Sequence, residues 1–159
     1  MPEAYMKKLI KDNRGDMYAV VALSCVFLIM VVMILSEVIR VFDIREHLND
    51  ELYRAANISV KTAMLDSFMW DREGRMDETV AVNSFNDYLR NDLGLNARLE
   101  MVRGGEVIYE LKIIDMRPDG DNARLEVDAI AFADMQFFRF LGQRWQIPIK
   151  VVSRNIPLF

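Results

Sequence analysis

The chain holds one histidine, His47, and one cysteine, Cys25, and these two residues bound the chemistry open to it. Nucleophilic catalysis of the Ser-His-Asp or Cys-His kind needs an imidazole or a thiolate in a polar cleft. His47 stands among charges beside an amphipathic stripe, and Cys25 lies inside an apolar run, so neither is placed for activation. Mechanisms that need two imidazoles fail on count, as do zinc sites built from several thiolates and intrachain disulfides. No Gly-rich phosphate loop occurs. Asp119-Gly120-Asp121-Asn122 has the residue types of a calcium loop without its alternating oxygen ligands or terminal Glu, and reads as a turn. Asp71, Glu73, Asp77 and Glu78 read as a solvated linker rather than a metal cluster. No catalytic, cofactor-binding or metal-binding residue is assigned, no cofactor is expected, and the reading is non-enzymatic.

The elements around these residues explain why. Of 159 residues, 52% are hydrophobic and 28% charged, and the mean hydropathy is +0.06. These values fit together only if the apolar residues are concentrated. Ala19 to Leu35 carries no charge, and the uncharged run extends from Met17 to Ser36. About twenty apolar residues suffice for a helix to cross a hydrocarbon core of roughly 30 Å. No small-residue cleavage pattern follows, so the segment is expected to stay as an anchor rather than leave as a signal peptide. Before it, Lys7, Lys8, Lys11 and Arg14 outnumber Glu3, Asp12 and Asp16 by one, which leaves the rest of the chain at −5 of the total −4. The positive-inside tendency places this leader in the cytoplasm and the acidic remainder outside. An acidic chain of pI near 5.1 is a poor partner for nucleic acid. Membrane lipid is the expected partner.

Past the run, Glu37 and Arg40 stand three apart and either pair on one helical face or are two ordinary interfacial charges. Then Ile44, Leu48, Leu52, Ala55, Ala56, Ser59 and Ala63 recur at three- and four-residue steps, with Asp43, Arg45, Glu46, Asp50, Glu51 and Arg54 off the stripe. No Pro or Gly occurs between Asp16 and Glu73, so one helix is predicted from about Met17 to Leu65, with Leu48 and Leu52 as its packing residues. A charged connection over residues 71–79 follows. Val82, Phe85, Leu89 and Leu93, with Tyr88 alongside, then mark a short helix, Asp77 its N-cap and Gly94 its stop.

From Asn96 the period becomes two. Ala97, Leu99 and Met101 lead to a Gly104-Gly105 hairpin, and Val107, Tyr109, Leu111 and Ile113 make a second strand. A turn over Arg117–Asn122 precedes a third strand with Leu125, Val127, Ala129 and Ala131. Trp145, Ile147, Ile149 and Val151 give a fourth, with Pro148 pointing to an edge. The expected fold is α+β: a long transmembrane-plus-amphipathic helix on a small antiparallel meander. Its parts are residues 1–15 as leader, 16–42 as span, 43–70 as amphipathic continuation, and 71–159 as an extracytoplasmic domain. The aromatic group Phe137, Phe138, Phe140 and Trp145 is either the closing corner of a small core or a contact for a neighbouring subunit.

A basic leader ending in Arg14-Gly15, an apolar helix running into one with Asn49, Leu52, Ala55 and Ala56, and a small β-rich domain together resemble the minor pilins and pseudopilins. Among these the chain looks most like the TadE-like proteins of tight-adherence (Tad) pilus systems. The resemblance covers the first 65 residues in pattern and the β domain in architecture. It implies a scissile Gly15–Asp16 bond cut by a prepilin peptidase, and partners among other pilin-like subunits and assembly-platform proteins. The family usually carries a glutamate at the fifth position after the cut; here that residue is Val20. Two readings follow: a minor pilin or pseudopilin of a pilus or secretion assembly, and a single-pass anchored binding or sensing module that is neither cleaved nor polymerised. A membrane-tethered hydrolase is a third, without a credible catalytic set.

Overall fold

A computed structural model describes residues 13–71, 75–137 and 142–154. The first element, α1, is a 59-residue helix, Asn13–Asp71. It is longer at both ends than the stretch predicted. Nothing between Asp16 and Glu73 breaks it, and one glycine near its start costs about 1 kcal/mol without ending a helix. By internal contacts the chain divides into two units, Met1–Ile39 and Arg40–Phe159.

In the first unit, Met17 to Leu35 buries no side chain, and the large residues Met17, Leu23 and Phe27 are each more than two-thirds exposed. A helix that is apolar on every side has no face of its own to hide.

The second unit is built on the amphipathic part of α1. Ile44, Leu48, Leu52, Ala55, Ala56, Ser59, Val60 and Ala63 are all buried, on the three- and four-residue spacing that keeps them on one face. They share one hydrophobic core with the inner faces of the strands. A short helix, α2 (Glu78–Asn91), joins them. Asp77 caps it by accepting hydrogen bonds from the Thr79 and Val80 N–H groups at 2.8 and 3.1 Å. Its buried face is Ala81, Phe85, Tyr88 and Leu89; Val82, expected there, is only partly covered because Ala81 takes the inward position. At the other end Gly94 takes φ +71°, and Leu95 N–H reaches back to the Leu89 carbonyl at 3.1 Å.

Four strands, β1 (Glu100–Arg103), β2 (Glu106–Asp119), β3 (Arg124–Asp134) and β4 (Arg144–Arg154), form an antiparallel sheet in the order β1-β2-β3-β4. The α+β class and the meander are therefore as the period changes indicated. Three details differ. Ala97 and Leu99 are not strand: the Asn96 side chain accepts from the Arg98 and Glu100 N–H groups, both at 2.9 Å, and this Asx turn holds Leu99 at φ +58°. Arg117, Pro118 and Asp119 belong to β2, paired with Glu126, Leu125 and Arg124, and the turn begins only at Gly120. Along β2 the inward alternation is interrupted, since Val107 is exposed and the register shifts between Ile113 and Asp115. The bulge leaves Ile114 outside and returns Met116 to the core edge. In β3 the alternation is unbroken, with Leu125, Val127, Ala129, Ala131 and Ala133 all buried. Pro148 sits on β4, an edge strand, opposite Ile130.

Candidate membrane anchor and assembly surfaces

One helix is long and apolar enough to cross a membrane: its most apolar 18-residue window has a mean hydropathy of 2.9, and none of it is buried. Ser24 Oγ donates to the Val20 carbonyl at 2.8 Å, so the hydroxyl is satisfied within its own helix. This is compatible with a single-pass anchor near the N-terminus. Val20, at the position where the resembling family carries an acid, is 62% exposed. Gly15 and Asp16 lie in the first turn of α1. Lys7, Lys8 and Lys11 lie outside the described residues.

In the second unit, polar contacts fasten the helix to what it covers. The Arg40 guanidinium donates to the main-chain carbonyl of Asp134. Glu37, in the first unit, is buried at 3% exposure, so it is not the solvated interfacial charge that its position suggested. Tyr88 donates its hydroxyl to Glu51 at 3.0 Å, with Arg54 on the same carboxylate at 3.4 Å. Burial, then the hydrogen bond to Glu51 and that carboxylate's charge, hold the Tyr88 phenol above its ordinary pKa. Tyr109 is pushed up to about 12 by burial and by the same carboxylate. Ser59 returns its hydroxyl to the Ala55 carbonyl at 2.7 Å, which lets a polar residue sit in the stripe at no exposure.

The outer face of the sheet is charged, and its charges answer one another. Asp115 faces Asp128 across β2 and β3, a repulsive placement on its own. Arg117 resolves it, reaching Asp115 at 2.9 Å, Asp128 at 2.6 Å and Glu126 at 3.2 Å. Lys150 bonds Glu126 from the other side and, with Arg117, holds that carboxyl below its ordinary range. Arg144 joins Glu110 at 3.0 Å and Asp134 at 2.7 Å, with its guanidinium 5.7 Å from the Phe132 ring centre. A face whose ions are mutually satisfied presents little field to a charged ligand.

His47 is exposed and lines a hollow of about 260 Å³ with Asp43, Met101, Arg103 and Ile108. Among the described residues no group of three His, Cys, Asp or Glu side chains converges as metal ligands would. Asp119 is occupied in its turn, accepting from the Asn122 backbone N–H at 3.1 Å and side-chain amide at 2.8 Å, which lowers its pKa.

Leu48 and Leu52 are wholly buried. Phe137 is 38% exposed, whereas Trp145 is partly buried against the core. The structure thus separates two members of the aromatic group; Phe138 and Phe140 lie outside the described residues. Sequence reasoning missed the polar fastenings at Arg40, Glu51 and Asn57, whose partners are 37 to 96 residues away. No signal in a single sequence links such residues. Comparison with protein families, curated proteins and solved structures finds no match for this chain.

Proposed function

We propose that the chain is a membrane-anchored minor pilin or pseudopilin of the TadE-like kind, acting by packing rather than catalysis in a Tad, type IV pilus-like or secretion assembly. The observation that carries this reading is the division of labour along α1. Its first stretch is apolar on every side, while its continuation is the cover of a small antiparallel meander. In lipid, a helix satisfies its own backbone. The same all-round apolar surface can exchange lipid for neighbouring helices when subunits assemble. In this reading the N-terminus is cytoplasmic, the sheet is extracytoplasmic, and a prepilin peptidase, other pilin-like subunits and an assembly platform are the partners.

The exposed Val20 favours a second reading, an anchored binding or sensing module that is neither cleaved nor polymerised. The two separate on the N-terminus of the mature protein. Recovered from cells with an active prepilin peptidase, a processed subunit begins at Asp16. An intact chain still carrying Lys7, Lys8 and Lys11 leaves the second reading standing. A membrane-impermeant thiol reagent on intact cells should label Asn91→Cys and spare Asn13→Cys; the reverse pattern overturns the topology.

A further inference from the structure

We propose that Pro148 guards the open edge of β4 against pairing with the same edge of a second copy of this chain. The proposal concerns the second unit alone and is independent of whether the chain is processed. β4 stands at one end of the sheet order, and among the described residues no strand pairs with its far side. It runs for 11 residues and matches β3 pair by pair, from Arg144 opposite Asp134 to Arg154 opposite Arg124, without a register shift. Ile147, Ile149 and Val151 are buried, and Trp145 and Val152 add to its strand-forming character. The other edge, β1, has four residues and a register shift between Met101 and Val102, so it offers little to a partner. β4 is the edge with enough unbroken length to pair.

Long edges of this kind are blunted by charge or by proline. On β4 the charge is largely neutralised. Lys150 bonds Glu126 and lies 3.6 Å from Asp128, while Arg144 meets Glu110 at 3.0 Å and Asp134 at 2.7 Å, all carboxylates of its own sheet. Cations answered in this way do little to repel a second strand. The middle of β4 opens on a hollow of about 420 Å³, whose lining includes Pro148 and Lys150 together with Arg45 and Asn49 of α1. Neither α1 residue makes a hydrogen bond or ion pair among the described residues, and Arg45 is exposed. One solvated charge is a weak barrier.

Pro148 acts where these do not. It has no N–H, so its place opposite Ile130 is one where β4 directs its main-chain groups away from β3. The alternation then sends the N–H groups of Arg144, Gln146, Lys150 and Val152 off the same open side. Pro148 breaks this row in its middle. It removes a donor and sets ring carbons where a neighbouring strand would approach. Without it, Trp145 to Val152 is a strand-forming segment with open main-chain groups, the kind that pairs edge to edge.

The test uses the full chain in detergent micelles, as the native protein, as Pro148→Thr, and as Pro148→Thr combined with Gln146→Pro. Light scattering reads the protein mass per particle, and hydrogen exchange reads single amides. Pro148→Thr should raise the mass to about twice the native value or more, as a symmetric pairing requires. It should also slow exchange at Lys150 and Val152 by about tenfold or more. Moving the proline to position 146, another outward N–H, should restore the native mass and keep a cooperative melt. Arg45→Ala and Lys150→Ala, which remove charge and leave the proline, should match the native chain. Unchanged mass for Pro148→Thr overturns the proposal. So does added mass without protection at 150 and 152, which marks association elsewhere. Association of either alanine variant makes charge the guard instead. If the amides of 146, 150 and 152 are already protected in the native chain, or the double variant loses its melt, this side of β4 is not free and the proposal falls.

Discussion

Ser153 Oγ donates a 2.7 Å hydrogen bond to Asn57 Oδ1, joining the last strand to the long helix across 96 residues of sequence. Ser153 is 1% exposed, so its hydroxyl has no easy access to water if Asn57 is lost. Asn57→Ala should therefore destabilise the domain by about 1–3 kcal/mol, the penalty for stranding a buried polar group. Ser153→Ala removes the buried hydroxyl itself and should cost less. The double variant should be more stable than Asn57→Ala alone, as coupled partners require. Thermal melts of the full chain in detergent read all three. Strict additivity means the bond contributes nothing.

Leu52 and its neighbour Tyr53 stand about 100° apart around α1, at 0% and 50% exposure. Leu52→Ala should cost about 2–5 kcal/mol through lost burial and the cavity left behind. Tyr53→Ala should stay within about 0.5 kcal/mol, the range of surface changes. If denaturant melts show similar losses for both, the stripe is not what holds helix to sheet.

Tyr109 is buried, and among the described residues its hydroxyl has no hydrogen-bond partner. Tyr109→Phe deletes a polar group that burial penalises, and at neutral pH it should leave stability equal or higher. The alkaline limb supplies the second half. The phenol's pKa in the fold is about 12, raised from 10.0, because burial and the Glu51 charge favour the neutral form. Its contribution is fully present below pH 10 and is lost as pH rises from 10 toward 12. Over that window the native chain should lose about 2–3 kcal/mol more than Tyr109→Phe. Parallel pH profiles for the two proteins would contradict a buried, neutral Tyr109.

Much of this fold is legible in the sequence because two periodicities are unambiguous. The i, i+4 recurrence from Ile44 to Ala63 has no competing strand pattern, and all seven residues of that stripe are buried. The alternation of Leu125, Val127, Ala129 and Ala131 is as plain. What escapes is set by side chains acting on backbone. Asn96 bends the chain that Ala97 and Leu99 suggested was strand, and the bulge at Ile114 changes which β2 residues face inward. A strand with a bulge carries a period-two signal that slips by one residue, and composition does not show where. The outer-face pairs of Arg117 become visible only once register places Asp115 against Asp128. The leader shows in the sequence as Lys7, Lys8, Lys11 and Arg14-Gly15 ahead of the apolar run, and its cleavage is a matter for experiment.

Gly15 is where that experiment bites. The bond from Gly15 to Asp16 lies in the first turn of α1, yet a peptidase must draw its substrate out of helix to cut. Glycine lowers the cost of doing so, because a helical glycine is about 1 kcal/mol less favourable than alanine and carries no side chain to obstruct attack. Gly15→Ala should slow processing by strengthening the helix without adding bulk. Gly15→Leu should block it, since a large side chain then occupies the position before the scissile bond. Neither change touches the run from Met17 to Ser36, so membrane insertion should be unaffected. Mass spectrometry of the membrane-extracted chains measures the fraction beginning at Asp16, and carbonate extraction measures insertion. A graded loss from glycine through alanine to leucine, at constant insertion, is the signature of cleavage that must first unwind this turn. Complete processing of Gly15→Leu would remove glycine, and the resembling family's mode of cutting, from the account.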